Sequence, residues 1–298
     1  MAERDYAAAW PAPLRTSFIP GTSIELVRPR AIGDPPRHAL FDFDGTLSLV
    51  REGWMGVMVP MMVRNLLPFA RKGEGPESIE ALVRDFVTEL TGKQTVYQMM
   101  RLAEEVKARG GLPRDPLEYK AAYHDLLMAR IASRRTGLAD GSIAREQMLV
   151  PGSLEFLAML RERGVEIHVA SGTDEPYVLE EARLLGIDEF AHGSIHGAQA
   201  DHKTYSKEMV IRRILDTNGI EGRSLVAFGD GYVEIVDCKA VGGLAVAVAS
   251  DEVGRSGTPD PWKRDRLIGA GADIVIPDYR EAGQLLDYLW SPGREGVT

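Results

Sequence analysis

The hydrophobic positions change period twice along the chain. His38-Ala39-Leu40-Phe41-Asp42-Phe43 is a short apolar run that meets acid and then Gly45, the pattern of a buried strand whose C-terminal end opens into a loop. From Ser48 to about Val150 the spacing becomes helical. Ile79, Leu82, Val83, Phe86 and Leu90 share one helix face closed by Gly92; Val96, Met99, Ala103 and Val106 share another, stopped by Gly110-Gly111. Leu117 to Arg135 reads as a third long helix, and Met55, Met58, Met61 and Met62 are expected to pack its neighbours.

Beyond Pro151, strands and helices alternate. Ser153 is expected to cap a helix bearing Leu154, Leu157 and Leu160, ended by Gly164, and Val165 to Ala170 alternates like a half-buried strand. Glu175-Pro176 opens a helix that Gly186 ends; Ser206 caps one carrying Val210, Ile211, Ile214 and Leu215. Leu225–Phe228, Leu244–Ala249 and Ile274–Ile276 are further buried strands. Between them, His192, His196 and His202 read as a loop, with a transition-metal site as the alternative. His38 and His168 read as strand residues with satisfied nitrogens. The expected fold is α/β: a Rossmann-like, mostly parallel sheet flanked by helices, interrupted by an all-helical insertion. The boundaries predicted are an extension over 1–37, a core over 38–47 and 151–290, the helical insertion over 48–150, and a tail over 291–298. In the extension only Ile24 to Val27 looks strand-like.

Composition narrows the chemistry. Among 298 residues, 35 Lys and Arg stand against 44 Asp and Glu, a net charge of −9, so neither a nucleic acid nor an anionic membrane is an expected partner. A lone cysteine, Cys238, excludes an internal disulfide and fits a reducing compartment. Met1 to Phe18 lacks the basic start and apolar run of a signal peptide. Met55 to Ala70 is too short for a membrane span and contains Pro60, Arg64 and Pro68, so a cytoplasmic protein is expected. Nothing in the pattern fixes an oligomeric state.

Asp42-Phe43-Asp44-Gly45-Thr46 sets two carboxylates on one side of an extended chain. Such like charges call for a cation, and a hard, oxygen-seeking ion such as Mg²⁺ suits them. Ser171-Gly172-Thr173 follows a strand and precedes a helix, where hydroxyls and free N–H groups can hold an anion. Lys207 lies in the first turn of its helix, unfavourable against the helix dipole unless an anion compensates it. Asp230 ends the Leu225–Phe228 strand, and Glu234 follows one helical turn later.

In this order, the four pieces resemble the motifs of haloacid dehalogenase superfamily phosphatases, of the phosphoglycolate phosphatase and β-phosphoglucomutase kind. Asp42 to Thr46 is similar to the first motif, Ser171 to the second, Lys207 to the third and Gly229 to Glu234 to the fourth. Lys203 is the alternative third-motif lysine, but Lys207 fits the family spacing better. The resemblance implies a Mg²⁺-dependent phosphatase acting on a small phosphorylated metabolite through an aspartyl-phosphate. Asp42 would be the nucleophile and Asp44 the acid and base, while Thr46, Ser171, Gly172 and Lys207 would hold the phosphoryl group. Asp42, Asp44 through its backbone carbonyl, Asp230 and Glu234 would hold the metal, Glu234 directly or through water. The family often has Asp where this chain has Glu234. The helical insertion resembles the family's mobile cap, where Arg51, Trp54 and Arg64 are candidate substrate contacts. A phosphomutase, or a Mg²⁺-dependent binding protein without catalysis, would share the motifs.

Overall fold

The computed structural model describes residues 15–28, 35–199 and 201–290. Eight strands are found among them: β1 (Ser17–Phe18), β2 (Glu25–Leu26), β3 (His38–Phe41), β4 (Glu166–Asp174), β5 (Ile195–Ala198), β6 (Leu225–Gly229), β7 (Leu244–Val248) and β8 (Ile274–Ile276). They form one sheet in the order β1-β2-β8-β7-β6-β3-β4-β5. From β8 to β5 all neighbours are parallel, and β2 adds antiparallel to β8 with β1 beyond it.

Period-two alternation sends each strand's side chains to two opposite layers. Phe41, Val169, Phe228 and Val246 face α5 (Ser153–Glu162), α6 (Glu175–Leu185), α7 (Asp188–Ala191) and α11 (Ala282–Trp290). Leu40, Ala227 and Ala245 face α8 (Lys207–Asn218), α9 (Tyr232–Ala240) and α10 (Pro261–Ala270). The first layer is anchored by aromatic rings: Phe41 stacks on Phe228 at 4.6 Å between centroids, and Phe156 stacks on Tyr279 at 4.9 Å. Phe156 meets Phe228 edge-on at 5.2 Å. This cluster lies under the end of β3 from which Asp42 projects.

Between β3 and β4 stand α1 (Met55–Leu66), α2 (Pro76–Glu89), α3 (Thr95–Ala108) and α4 (Pro116–Asp140). Met58, Met61 and Met62 are buried among Val83, Phe86, Met99 and Leu127, as the methionine spacing predicts. The long α4 docks on α6, where Lys120 pairs with Asp174 and Arg135 with Glu180. Arg134 donates to the carbonyls of Val50 (2.9 Å) and Glu52 (2.8 Å), clamping the chain where it leaves the core.

Several expectations need correction. Ser153 does not cap α5; Gly152 does, at φ 80°, while the Ser153 hydroxyl donates back to the Val150 carbonyl at 2.5 Å. β4 continues through Ser171-Gly172-Thr173, because pairing with β5 resumes at Asp174 and Ala198 after a shift in register. β5 itself replaces the loop expected around His196. Its Gly197 misled the reading: a Cβ there would lie 2.3 Å from the Glu175 Cα, so close packing and not a turn demands glycine. Glu25 and Leu26, within the strand-like run of the extension, form a strand between β1 and β8, with Glu25 buried against Arg264. Residues 1–14 and 29–34 of the expected extension, and the expected tail over 291–298, lie outside the described residues.

Phe156 touches three rings of the layer that supports β3. Phe156→Ala is therefore expected to lower the unfolding free energy by about 3–5 kcal/mol, measured by urea denaturation followed by circular dichroism.

Candidate active site

The chain order reverses at β3. From it the chain runs outward to β4 and β5, then returns to its other side for β6, β7 and β8. Such a reversal opens a crevice at the C-terminal ends of the strands. Asp42 follows β3 directly, and its backbone N–H donates to the Phe228 carbonyl of β6 at 2.9 Å. Asp230 follows β6. Gly45, at φ 76°, lies so close that a Cβ there would stand 2.2 Å from Asp230 Oδ2. Glycine at 45 therefore lets the Asp230 carboxylate reach the crevice.

Three cations at the site are each shared by two acids. Lys207, at the start of α8, donates to Asp42 Oδ1 at 2.7 Å and also pairs with Glu234 of α9. Lys263 of α10 donates to Asp230 Oδ2 (2.8 Å), to Glu252 Oε1 (2.7 Å) and to the Ser250 hydroxyl (3.0 Å). Arg51 makes two bonds to Glu181 of α6, at 2.8 and 3.0 Å, and its Nε lies 3.8 Å from Asp44 Oδ1. Thr173 Oγ1 donates to the other oxygen of Asp44 at 2.8 Å.

The structure gathers most of the expected residues, with changed parts for some. Asp42, Asp44, Gly172, Lys207 and Asp230 line one cavity of about 120 Å³, together with Arg51 and Trp54. Thr46 is fully buried beside it and accepts from the Asp230 N–H at 2.9 Å, so its hydroxyl positions Asp230. The Ser171 hydroxyl accepts from the Thr173 N–H at 3.0 Å. Glu234 faces Lys207 and not the cavity, and Arg64 is exposed on α1 away from it. Lys203 is exposed, whereas Lys207 is buried on Asp42. Of the histidine group, His192 ends α7 and His196 contacts Ser194; the His202 side chain lies outside the described residues.

Sequence reading missed Glu181, Glu252 and Lys263. Glu181 sits on the apolar face of α6 beside Val178 and Ala182, and a carboxylate on a buried helix face was the available signal. Glu252 follows β7 in a stretch without periodicity, and Lys263 lies in the first turn of α10 just beyond it. The turn between α2 and α3 covers the site: a Cβ at Gly172 would lie 3.1 Å from the Lys93 carbonyl, and one at Gly92 3.3 Å from the Gly231 Cα.

Burial pushes the Asp42 carboxyl up to about 7; Lys207 opposes this, and the charges of Asp230 and Asp44 reinforce it. Burial likewise raises Asp44 to about 6, against Arg51 and Thr173 and with Glu181 and Asp230. Asp42, Asp44 and Asp230 together offer an all-oxygen donor set. Buried Asp44 Oδ1 accepts no hydrogen bond in the structure. Such a set fits a hard divalent cation, which the Asp42 and Asp230 carboxylates and the Asp44 backbone carbonyl would hold, leaving Asp44 Oδ1 to carry a proton.

Comparison with known proteins gives the family and the fold. The family model of haloacid dehalogenase-like hydrolases matches residues 36–242. Three solved structures resemble the chain in fold. A haloacid dehalogenase-like protein of unknown function from Agrobacterium tumefaciens str. C58 is 17% identical, with TM-score 0.55 over 86% of this chain and 100% of that one. A predicted phosphoglycolate phosphatase from Haemophilus somnus 129pt is 14% identical, with TM-score 0.54 over 84% and 98%. A HAD family hydrolase from Deinococcus radiodurans R1, solved with bound phosphate and sodium, is 20% identical, with TM-score 0.52 over 88% and 100%. No curated protein sequence matches the chain. Because the family model spans well over half of the sequence and takes in all four motif segments, the chain belongs to the haloacid dehalogenase-like hydrolases.

Proposed function

We propose that the protein is a Mg²⁺-dependent phosphatase that hydrolyses a small phosphorylated metabolite through an aspartyl-phosphate on Asp42. The contact of Lys207 Nζ with Asp42 Oδ1, 2.7 Å long at the mouth of a cavity shared with Asp44 and Asp230, carries this reading. A nucleophilic carboxylate needs a free oxygen and a cation that lets it approach a phosphate dianion. Lys207 holds one Asp42 oxygen and leaves the other for phosphorus. Bound Mg²⁺ would offset the charge of the carboxylates and of the phosphoryl group.

Asp42 attacks phosphorus as the bond to the leaving oxygen breaks, and Asp44 gives that oxygen its proton. Burial supports this part, because it keeps the Asp44 carboxyl partly protonated near neutral pH. In the second half Asp44 takes a proton from water, the water oxygen bonds to phosphorus, and the Asp42 carboxylate departs. The Thr173 hydroxyl and Arg51 orient Asp44 for both transfers. Glu234 acts through Lys207, fixing its ammonium on Asp42. The four inserted helices act as a cap: the turn at Gly92-Lys93 excludes water, and Trp54, Tyr123 and Leu127 supply apolar surface for the leaving group.

Asp42→Asn is expected to abolish turnover of every phosphomonoester hydrolysed by the parent, and trapping followed by mass spectrometry should find the phosphoryl adduct on Asp42. Asp44→Asn should slow alkyl phosphates by about 10²–10⁴-fold. With p-nitrophenyl phosphate, whose phenolate leaves without a proton, the pre-steady-state burst of p-nitrophenol should be far less affected, while turnover still falls because hydrolysis of the adduct lacks its base; equal losses in the phosphorylation step on both substrates would remove Asp44 from the acid role. Chelation by EDTA should stop hydrolysis, and Mg²⁺ should restore it, as followed by release of inorganic phosphate.

A further inference from the structure

At the opposite pole of the sheet, where the parallel strands begin, lies a second group of ligand-bearing side chains. β3 and β4 pair in register with His38 opposite Glu166 and Leu40 opposite His168. Residues two apart on a strand share a face, so His38, Glu166 and His168 all project to the α8 side of the sheet. Their nearest ligand atoms lie within 4.8 Å of one another. His38 Nδ1 stands 3.2 Å from His168 Nε2 and 3.6 Å from Glu166 Oε2.

From this geometry we infer that His38, His168 and Glu166 form a binding site for a borderline divalent metal ion of the Zn²⁺ class, separate from the catalytic crevice. Two ligands bound to one tetrahedral ion at ~2.0–2.1 Å stand about 3.3 Å apart. The imidazole nitrogens are already near that separation, joined by a hydrogen bond in which the His38 Nδ1–H donates to His168 Nε2 and whose proton the ion would displace. The Glu166 carboxylate is exposed and needs only a side-chain rotation to close its remaining distance. Two imidazoles and one carboxylate are the donor set of Zn²⁺ sites with an open fourth position for water, and hard Mg²⁺ disfavours such nitrogen ligands.

The surroundings orient the rings for this task. The Ser194 hydroxyl lies 2.6 Å from His168 Nδ1, and 3.4 Å on its other side is His196 Nε2. With the Nδ1–H donating to Ser194 and the Ser194 O–H donating to His196, the lone pair of His168 Nε2 points at the site. An outer partner of this kind fixes the tautomer of a metal-bound histidine. Both rings are nearly buried, and burial favours their neutral, ligating form. Exposed Arg37 opposes a cation here, but across solvent, where its charge is screened; Glu166 supplies the opposite charge at ligand distance. An ion bound there would tie the starts of β3 and β4 together, four residues before Asp42.

Calorimetric titration of the metal-free chain with Zn²⁺, in excess Mg²⁺, tests the assignment. One equivalent is expected to bind in the parent and equally in Asp230→Asn. The surface variant Glu166→Gln, which leaves the core untouched, should bind it at least tenfold more weakly, and His168→Gln should lose it. Zn²⁺ should also raise the Tm of the parent more than that of Glu166→Gln. Equal affinity in the parent and Glu166→Gln, or loss of the equivalent in Asp230→Asn, overturns the inference.

Discussion

An excess of buried negative charge governs the catalytic end of this molecule. Lys207, Lys263 and Arg51 each serve two acids: Asp42 and Glu234, Asp230 and Glu252, Asp44 and Glu181. Taking a carboxylate out of water costs several kcal/mol, and one cation shared by two anions repays only part of that. The deficit shows in Asp42 and Asp44, whose carboxyls are held well above the usual range. A cavity so charged repels a phosphate dianion until a divalent cation enters. The same deficit that makes the acids costly therefore links the proposed activity to metal.

The surrounding fold exists to hold these charges in place against their repulsion. Asp42 is fixed by the bond of its N–H to β6 and by the ring cluster beneath β3. Asp230 is fixed by the Thr46 hydroxyl and by the space that Gly45 leaves. Asp44 is the exception, since its partner Arg51 lies just before the inserted helices and Glu181 on α6 beneath them. A motion of the insertion relative to α6 would alter the field at Asp44 more than at Asp42. That asymmetry suits a group whose proposed part changes from acid to base within one turnover.

Local rules made most of this legible in the sequence. Strands β3, β6, β7 and β8 announce themselves as short apolar runs, and the acids at 42, 44 and 230 sit where those runs end. Ser206 caps α8 through a bond from the Met209 N–H, as its position predicts, and this places Lys207 in the first turn. Contacts set by tertiary packing stayed hidden. Nothing near Glu234 in sequence says that it faces Lys207 and not the cavity, since both directions are one helical turn from Asp230. β5 carries glycine where Glu175 approaches, which reads as a turn, and Lys263 reaches Asp230 from a helix that begins after an aperiodic stretch.

The two ends of the central strand carry opposite ligand chemistries, and the sheet itself explains why. At the C-terminal ends, loops leave room for several oxygen donors to converge, and charge accumulates because the crevice is open to a ligand. At the N-terminal ends, in-register pairing holds side chains of adjacent strands close together on one face. Imidazoles there stay neutral under burial, so one can donate to the other at 3.2 Å without the repulsion that shapes the acids. A hard ion is favoured at one pole and a borderline ion at the other. One strand of four residues separates two environments that would otherwise compete for the same metal.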